Sequence, residues 1–353
     1  MIQNFKSTKA AILTNLNKPL LIDRILLPKE LFHGQVLVKN YYSGVCGSQL
    51  GEIQGVKGKD KYLPHLLGHE AIGEVLNVGK GVKKIKRGDQ VLLHWMPSKG
   101  LSAINPIFYL RNKKINAGPI ATFSDYSIVS ENRVTKINRN LKQNKEILLL
   151  GCTTSTAIGS VKKLAEFKKN EIAAVAGCGA IGLAIIKTLK YLEAKNIIAI
   201  DIDNKKLRVA KKFGAKILIN AKKENLLQSI IKEYPNKVDQ FFDTTGNPKV
   251  VSLGFKCLKS NGKEILIGVP PYKQESKFYT LDINLGKSLI GCKGGNFIPD
   301  REVNKYLKIM RSKKFNSKSL ISKVVELKDI NDVFSDMKKN KIIGKCIIKL
   351  NQE

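Results

Sequence analysis

A glycine-rich segment carries a clear chemical signal in the sequence. Residues 177–182 have the sequence GCGAIG. An apolar run at 172–175 precedes the segment and predicts a buried strand, a helical pattern follows it, and a second apolar run at 197–200 ends in Asp201. Strand, glycine loop, helix, strand and acid in this order are typical of a dinucleotide-binding site. We therefore expect a nucleotide cofactor at this loop.

The residues of the loop have separate physical tasks. Gly177 permits a tight turn, Gly179 lets the backbone approach a pyrophosphate, and Gly182 lets the helix pack closely against the strand. Ala180 and Ile181 begin the predicted helix, where free N–H groups and the positive end of the dipole favour phosphate. We expect these five residues to hold the pyrophosphate of a cofactor.

The acid at the end of the second strand predicts which cofactor is bound. Asp201 would accept hydrogen bonds from the adenosine ribose hydroxyls and would repel a 2′-phosphate. NAD is therefore expected rather than NADP. Lys205 and Lys206 keep NADP as the alternative, because they lie close to where a 2′-phosphate would bind.

Two cysteines and a histidine form a second candidate set. Cys46, His69 and Cys152 each stand next to a glycine. Two thiolates and an imidazole suit Zn²⁺. Three protein ligands leave a fourth position for water or substrate, as in catalytic rather than structural sites. The spacing alone does not establish a site, because a cysteine is by default a small buried hydrophobic residue.

The composition is globular and strongly basic. A chain of 353 residues suggests two domains. The formal net charge is +33, but Arg supplies only eight of the 62 basic residues. Arg is the usual residue for phosphate and base recognition, so a lysine excess spread along the chain favours AT-rich codon usage over a polyanion-binding surface. We expect no nucleic-acid partner.

Cysteine usage and hydropathy indicate the compartment. The six cysteines form no CxxC pair, which is not a disulfide framework and favours a reducing cytoplasm. No apolar run approaches the roughly 20 residues that a membrane span needs. The N-terminus lacks the apolar core of a signal peptide. A cytoplasmic protein without a membrane partner is expected.

The elements that position these residues follow from the apolar periodicity. In the first 150 residues, short apolar runs separated by turn signals predict a β-rich domain of barrel or sandwich type. These runs are 10–13, 35–38, 71–78, 90–94 and 127–129. Residues 95–120 show no clear period and predict a long excursion loop.

The pattern changes after about residue 155. Helical stretches alternate with buried-strand runs, which predicts a doubly wound parallel sheet. These runs are 172–175, 197–200, 217–219, 240–242 and 264–267. A helix at 301–312 and a strand at 344–350 follow. The fold class is therefore α/β.

Several motifs together resemble the zinc-dependent medium-chain alcohol dehydrogenases. The matching segments, in the order and spacing of that family, are 44–48, 68–70, 88–89, 151–156 and 177–182. The resemblance covers nearly the whole chain. It implies a GroES-like catalytic domain at 1–153 and 297–353 and a Rossmann dinucleotide-binding domain at 154–296, with the active site in the cleft between them.

The resemblance also implies roles for individual residues. The positions matching Cys46, His69 and Cys152 bind the catalytic zinc in that family. This implies a zinc-bound alkoxide mechanism that transfers hydride between NAD(H) and an alcohol or polyol, or its ketone or aldehyde. The other matched positions are Ser48 in the proton relay, Glu70 approaching the metal during ligand exchange, Thr156 beside the nicotinamide, Gly268 and Val269 at the carboxamide, Lys206 near the adenosine ribose, Lys345 near the pyrophosphate, and Trp95 in the wall of the substrate pocket.

The chain differs from that family in two features of its expected zinc binding. Residues 95–120 contain none of the four cysteines that hold a structural zinc, so one zinc per chain is expected. Gln49 stands where an Asp usually orients the zinc-bound His, which makes the imidazole of His69 less basic.

The proton relay departs as well. Gly51 replaces the His in which the relay often ends. Glu52 and His65 are the candidate replacements, and a structural role in a loop beside Pro64 is favoured for His65.

Assembly, substrate and activity keep alternatives. The resemblance implies a homodimer or a tetramer, with the strand at 287–291 as the dimer seam. One alternative is a zinc-free, quinone-reductase-like enzyme of the same fold. Another is a polyanion- or RNA-binding protein with a vestigial dehydrogenase fold. The substrate is an open question among secondary alcohols, polyols, sugar derivatives and aldehydes.

Overall fold

The computed structural model describes residues 7–351. These residues form two compact units. The barrel unit comprises residues 7–152, 298–307 and 321–351, and the parallel-sheet unit comprises residues 153–297 and 308–320. The domain bounds expected from the resemblance differ from these units mainly at 308–320, which belong to the parallel-sheet unit.

Eighteen strands are found within residues 7–351. In chain order they are β1 (Ser7–Leu13), β2 (Leu21–Leu26), β3 (Gln35–Val45), β4 (His65–Leu66), β5 (Ala71–Val78), β6 (Gln90–Leu93), β7 (Ile107–Leu110), β8 (Lys113–Asn116), β9 (Tyr126–Ser130), β10 (Val134–Lys136), β11 (Ile172–Ala176), β12 (Asn196–Asp201), β13 (Ile217–Asn220), β14 (Val238–Asp243), β15 (Leu258–Leu266), β16 (Ser288–Gly291), β17 (Ile321–Glu326) and β18 (Lys345–Lys349).

The same part of the chain contains nine α-helices. In chain order they are α1 (Gly47–Ile53), α2 (Thr153–Gly159), α3 (Ala180–Tyr191), α4 (Asn204–Phe213), α5 (Leu226–Glu233), α6 (Pro248–Lys256), α7 (Thr280–Asn284), α8 (Pro299–Arg311) and α9 (Ile330–Lys338). A π-helical turn, Ser160–Leu164, continues α2.

The barrel unit contains a closed barrel and a mixed sheet. The barrel order is β1-β2-β7-β8-β4. The seven-stranded sheet has the order β10-β6-β5-β3-β18-β17, and β9 also pairs with β3. The long strand β3 is therefore paired with β5, β18 and β9, and it is almost entirely buried. The β-rich barrel expected for this half of the chain is confirmed.

The expectation of a structureless loop at 95–120 is wrong for its second half. Strands β7 and β8 form an antiparallel hairpin there and complete the barrel. Phe108 and Ile115 face each other across the hairpin, and both are 1% exposed in a core cluster with Ile12 and Ile25. The sequence signal was weak because each strand has only four residues and β8, with the sequence KKIN, contains a single apolar residue.

The parallel-sheet unit is a doubly wound sheet. Its strands are all parallel and have the order β13-β12-β11-β14-β15-β16, the arrangement of dinucleotide-binding folds. The five strands predicted after residue 155 are confirmed. The central strand β11 has the sequence IAAVA, and its small apolar residues are buried, as expected for a strand covered on both faces.

Local signals set the ends of the helices in this unit. Asp203 begins α4 by accepting a hydrogen bond from the backbone N–H of Lys205, a typical N-cap. Gly214 ends the same helix with φ of +121°, a conformation that favours glycine. Asn247 caps α6, whose first residue is Pro248.

No helix within residues 7–351 is both long enough and apolar enough to span a membrane.

A buried acid lies in the core of the parallel-sheet unit. Glu264 on β15 is 0% exposed, and neither of its carboxylate oxygens hydrogen-bonds to a described residue. Gly254 leaves room for it, because a Cβ there would lie 2.6 Å from Oε1. Burial, with Asp243 nearby, raises the pKa of Glu264 to about 9. The carboxyl group is therefore neutral at pH 7.

This acid predicts a pH dependence of stability. The pKa of Glu264 is about 9 in the folded chain and roughly 4.3 in an unfolded one, so the unfolded chain releases the proton first as pH rises. The stabilisation is complete below about pH 4 and is lost on the way to pH 9, by on the order of 1.4 kcal/mol per pH unit. We expect Glu264→Gln, which stays neutral, to remove this slope in urea unfolding. Parallel pH profiles of the two proteins would contradict the prediction.

Candidate active site

Three potential metal ligands converge in the barrel unit. Cys46 follows β3 and begins α1, His69 lies between β4 and β5, and Cys152 follows a short 3₁₀ segment, Lys145–Gly151. Their ligand atoms all lie within 4.8 Å of one another. Within residues 7–351 this is the one such group of three or more His, Cys, Asp or Glu side chains.

The chemistry of this cluster fits zinc. Nε2 of His69 is buried and hydrogen-bonds to no described residue, so no protein group occupies the position that a ligand of this nitrogen would take. A hydrogen bond from the Cys152 thiol lowers the pKa of Cys46 well below its usual value, against the opposing effect of burial. Two cysteine sulfurs, which bind a metal as thiolates, and an imidazole are the donors that Zn²⁺ prefers. Three protein ligands would leave a fourth position open, as in catalytic sites.

A buried ion pair lies beside the cluster. Nζ of Lys345 contacts Oε1 of Glu70, and the two residues are 1% and 0% exposed. Burial opposes a charge on Lys345, but the Glu70 carboxylate outweighs this and raises the pKa of Lys345 above its usual value. The resemblance predicted Lys345 near the cofactor pyrophosphate, whereas in the barrel unit its ammonium is paired with Glu70. The pyrophosphate role stays a prediction.

Glycines make room for Glu70. A Cβ at Gly44 would lie 2.6 Å from Cδ of Glu70, and a Cβ at Gly151 would lie 2.6 Å from its Cβ. The backbone of Glu70 is held by hydroxyl groups, because Ser43 and Thr122 donate to its carbonyl oxygen at 3.1 and 3.2 Å. Glu70 and its neighbour in sequence, the histidine of the cluster, are therefore rigidly placed.

The predicted relay residues lie around α1. The hydroxyl of Ser48 is buried and has no hydrogen-bond partner among the described residues. Gly51 offers no side chain to continue a relay. Burial raises the pKa of the half-buried Glu52. The ring nitrogens of His65 contact Asp60 Oδ2 at 2.8 Å and its neighbour's carbonyl oxygen at 3.0 Å, so the structure gives His65 the structural contacts that the sequence favoured.

The glycine loop connects β11 to α3. Gly177 has φ of +86°, in the region that favours glycine. A Cβ at Gly182 would overlap the carbonyl oxygen of Gly177, whereas a Cβ at Gly179 would meet no atom within 4 Å. The loop is thus closed on its helix side and open at Gly179. A side chain at Gly179 would occupy this opening. Ala180 and Ile181 follow as the first residues of α3.

Asp201 anchors the loop to the end of β12. Its carboxylate accepts hydrogen bonds from the backbone N–H of Cys178 at 2.7 Å and of Asp203 at 3.0 Å. Lys206 lies half-buried on α4, the helix that follows. The acid therefore joins the glycine loop to the start of α4, and its role toward the adenosine ribose stays a prediction.

The residues predicted beside the nicotinamide lie in the parallel-sheet unit. Thr156 on α2 is 4% exposed, and a Cβ at Gly295 would lie 2.6 Å from its carbonyl oxygen. The backbone of Gly268 is so close to Gly246 that a Cβ there would overlap the Gly246 nitrogen, and Val269 is 62% exposed. The backbone of Val269 also packs against Gly246, because a Cβ there would lie 2.5 Å from the Val269 carbonyl oxygen. The contacts of Gly268 and Val269 with a cofactor stay a prediction.

Sequence reasoning missed a residue that holds the segment after Trp95. Asp300 accepts hydrogen bonds from Thr135 Oγ1 at 2.6 Å, Ser98 Oγ at 2.5 Å and the backbone N–H of Lys99 at 3.0 Å. Trp95 itself is half-buried, and its carbonyl oxygen accepts from the Arg133 guanidinium. No sequence signal pointed to these contacts, because the partners of Asp300 lie far away along the chain.

Comparison with known proteins decides the family. The model of the alcohol dehydrogenase GroES-like domain matches residues 33–139, and the model of the zinc-binding dehydrogenase matches residues 180–312. The alcohol dehydrogenase class-3 of Zea mays is 30% identical over 360 residues, which covers 92% of each chain. The chain belongs to the zinc-type medium-chain alcohol dehydrogenase family. It is therefore an alcohol dehydrogenase-type oxidoreductase.

Solved structures of alcohol dehydrogenases share the fold. Benzyl alcohol dehydrogenase from Acinetobacter calcoaceticus superimposes with a TM-score of 0.87 at 23% identity, covering 98% of this chain and 100% of that one. 2R,3R-butanediol dehydrogenase from Bacillus subtilis superimposes with a TM-score of 0.78 at 26% identity, with the same coverage. The GroES-like and Rossmann fold class expected from the sequence is confirmed.

Two glycines of the loop predict opposite sensitivities to alanine. Gly182→Ala places a Cβ on the Gly177 carbonyl oxygen, and we expect a loss of about 3 kcal/mol in stability from overpacking. Gly179→Ala meets open space, and we expect a loss below about 1 kcal/mol. Urea unfolding of this matched pair measures the difference. Equal losses in both variants would show that the crowding at Gly182 is relieved by movement of the loop.

Proposed function

We propose that this alcohol dehydrogenase is NAD-dependent and zinc-dependent, and that it transfers hydride between NAD(H) and an alcohol or polyol, or the corresponding ketone or aldehyde. The observation that carries the proposal is the cluster of Cys46, His69 and Cys152, with ligand atoms within 4.8 Å. The same cluster argues against the zinc-free, quinone-reductase-like alternative, because an enzyme without zinc does not need three potential metal ligands in one place.

Cys46, His69 and Cys152 would hold a single zinc ion. Bound there, zinc would supply a Lewis acid that polarises a carbonyl oxygen or lowers the pKa of an alcohol. Glu70 lies directly behind this set, with its carboxylate held by Lys345. The buried pair has no net charge, and it holds the Glu70 carboxylate beside the site, where Glu70 would approach the metal during ligand exchange.

Ser48 would carry the substrate proton. Its buried hydroxyl has no partner among the described residues, and a buried hydroxyl without a hydrogen bond is costly unless a ligand supplies one. We infer that a substrate oxygen is that ligand, and that Ser48 passes its proton outward. With glycine at the usual terminus of the relay, Glu52 is the remaining acceptor on α1.

The parallel-sheet unit would bind the cofactor, which supplies the hydride acceptor. Gly179 and the N-terminus of α3, with Ala180 and Ile181, would hold the pyrophosphate. Asp201 would accept from the ribose hydroxyls, which supports NAD over NADP, and Lys206 would lie near the ribose.

The remaining assignments extend the same proposal. Thr156, Gly268 and Val269 would contact the nicotinamide, and Trp95 would form a wall of the substrate pocket. Two of the structural relatives are named as dehydrogenases of benzyl alcohol and of 2R,3R-butanediol. For this chain we propose a small alcohol or carbonyl substrate.

Assembly and compartment are also proposed from the sequence. Strand β16 lies at the edge of its sheet, which supports a homodimer, or a tetramer built from it, with 287–291 as the seam. None of the six cysteines is in a disulfide, which supports a reducing compartment, the cytoplasm. We propose no nucleic-acid partner.

Loss of a metal ligand tests the proposal. We expect the purified protein to contain about one zinc per chain, as the three-ligand set implies. Cys46→Ala and His69→Ala should each remove most of this zinc and abolish NADH formation from a panel of alcohols, while NADH binding to the other unit persists. Metal analysis, NADH absorbance and NADH fluorescence measure these three properties.

A core cysteine provides the matched control for this test. Cys257 is 0% exposed in the core of the parallel-sheet unit. The Cys257→Ala variant should contain as much zinc as the wild type. A pure, active protein without zinc and insensitive to chelators would refute the zinc mechanism and favour the quinone-reductase-like alternative.

Removal of the relay hydroxyl gives a separate prediction. Ser48→Ala should lower kcat by about 10²-fold or more and leave the zinc content unchanged, because Ser48 is not a ligand. Ser48→Thr retains a hydroxyl and should recover most of the activity. Steady-state kinetics over a pH series measures both variants, and an unchanged kcat in Ser48→Ala would exclude this residue from proton transfer.

A further inference from the structure

One buried amide contacts two residues of the metal cluster. Gln49 is 1% exposed. The backbone N–H of Cys46 donates to Oε1 of Gln49 at 2.9 Å, and Nε2 of Gln49 contacts Nδ1 of His69. The side chain thus joins the first turn of α1 to the imidazole of the cluster, and a different end of the amide meets each group.

The imidazole can serve a metal in only one tautomer. A neutral imidazole carries a proton on one ring nitrogen and a lone pair on the other. Nδ1 of His69 faces Gln49, so Nε2 is the nitrogen available to the metal. A metal on Nε2 leaves the proton on Nδ1, and that N–H then needs an acceptor.

An amide that presents its oxygen to one group and its NH₂ to the other cannot serve both groups in this tautomer. An amide has one oxygen that accepts and one NH₂ group that donates. With Oε1 on the Cys46 N–H, the NH₂ group meets Nδ1, which fits only the imidazole that has its proton on Nε2. With the amide rotated, Oε1 accepts from Nδ1–H of His69, but the NH₂ group then faces the Cys46 N–H, and two donors meet. A carboxylate would offer an acceptor to each.

We propose that Gln49 is a positioning residue that weakens zinc binding and makes it dependent on rotation of its amide. This inference rests on the proposed zinc site. In the zinc-free chain, Oε1 holds the N–H of Cys46 and His69 carries its proton on Nε2. In the zinc-loaded chain, the amide is reversed, His69 carries its proton on Nδ1, and the N–H of Cys46 has lost its acceptor.

The consequence is a site whose zinc exchanges more readily than a carboxylate at the same position would allow. Outer-shell partners of metal-bound histidines typically change metal affinity by about 10- to 100-fold. The ligands themselves are unaltered, so the effect belongs to Gln49 alone.

An isosteric substitution tests the proposal. We expect Gln49→Glu, which places an acceptor against both N–H groups, to lower the zinc Kd by about 10- to 100-fold in competition with a chromogenic chelator. Gln54→Glu adds the same charge at the end of α1 without touching the cluster, and it should leave the Kd unchanged. An equal Kd in wild type and Gln49→Glu would overturn the proposal.

The tautomer of His69 provides a readout that added charge does not mimic. The chain contains four histidines, so the protein labelled with ¹⁵N-histidine gives few signals. In the wild type we expect the His69 proton on Nε2 without zinc and on Nδ1 with zinc, whereas Gln49→Glu should have it on Nδ1 in both states. A proton on Nδ1 in the zinc-free wild type would overturn the proposal, and this measurement decides even where Gln49→Glu does not fold.

The outcomes separate this inference from the proposed function. If the wild type binds zinc as tightly as Gln49→Glu does, only the inference fails. If neither protein takes up zinc, the proposed zinc mechanism fails and the inference fails with it.

Discussion

The geometry of the metal cluster depends on the buried ion pair between Glu70 and Lys345. Two charges that are almost completely removed from water must neutralise each other, and loss of either partner would leave the other uncompensated. Glu70 directly precedes β5, and Lys345 begins β18. Both strands pair with β3, which ends at Val45, directly before Cys46. The ion pair therefore ties the two neighbours of β3 together at the level where the first metal ligand leaves the sheet.

Glycines serve different purposes around the metal cluster and in the glycine loop. Around Glu70, the glycines at 44 and 151 remove side chains that would occupy the space of a buried carboxylate. In the loop, Gly182 allows two backbone segments to touch, while Gly179 leaves an opening. A metal site needs three side chains from distant segments, so its glycines serve packing. A phosphate site needs backbone N–H groups, so its glycines form the site itself.

The chain keeps the three residues that match the metal ligands of its family, while the residues around them differ from the family pattern. In the excursion after Trp95, apolar packing of a hairpin through Phe108 and Ile115 closes the barrel in a segment that contains no cysteine. Beside His69, an amide occupies a position where a carboxylate is usual. The hairpin affects how the segment after Trp95 folds. The amide affects how His69 is held, because it alters the number of acceptors available to buried N–H groups.

The sequence alone determined the parts of this protein that are encoded within short contiguous segments. The strands of the doubly wound sheet follow from apolar runs, and the glycine loop with Asp201 is a local motif. Cys46, His69 and Cys152 were candidates by residue type, but spacing could not bring them together, since their distance depends on the pairing of β3 with strands far away along the chain. Only the tertiary structure decided that Lys345 pairs with Glu70 and that Asp300 holds the segment after Trp95. It also showed that Gln49, which the resemblance placed beside His69, accepts from the backbone N–H of Cys46. The sequence separation of these residues does not indicate their distance in space, because long-range strand pairing and burial set that distance.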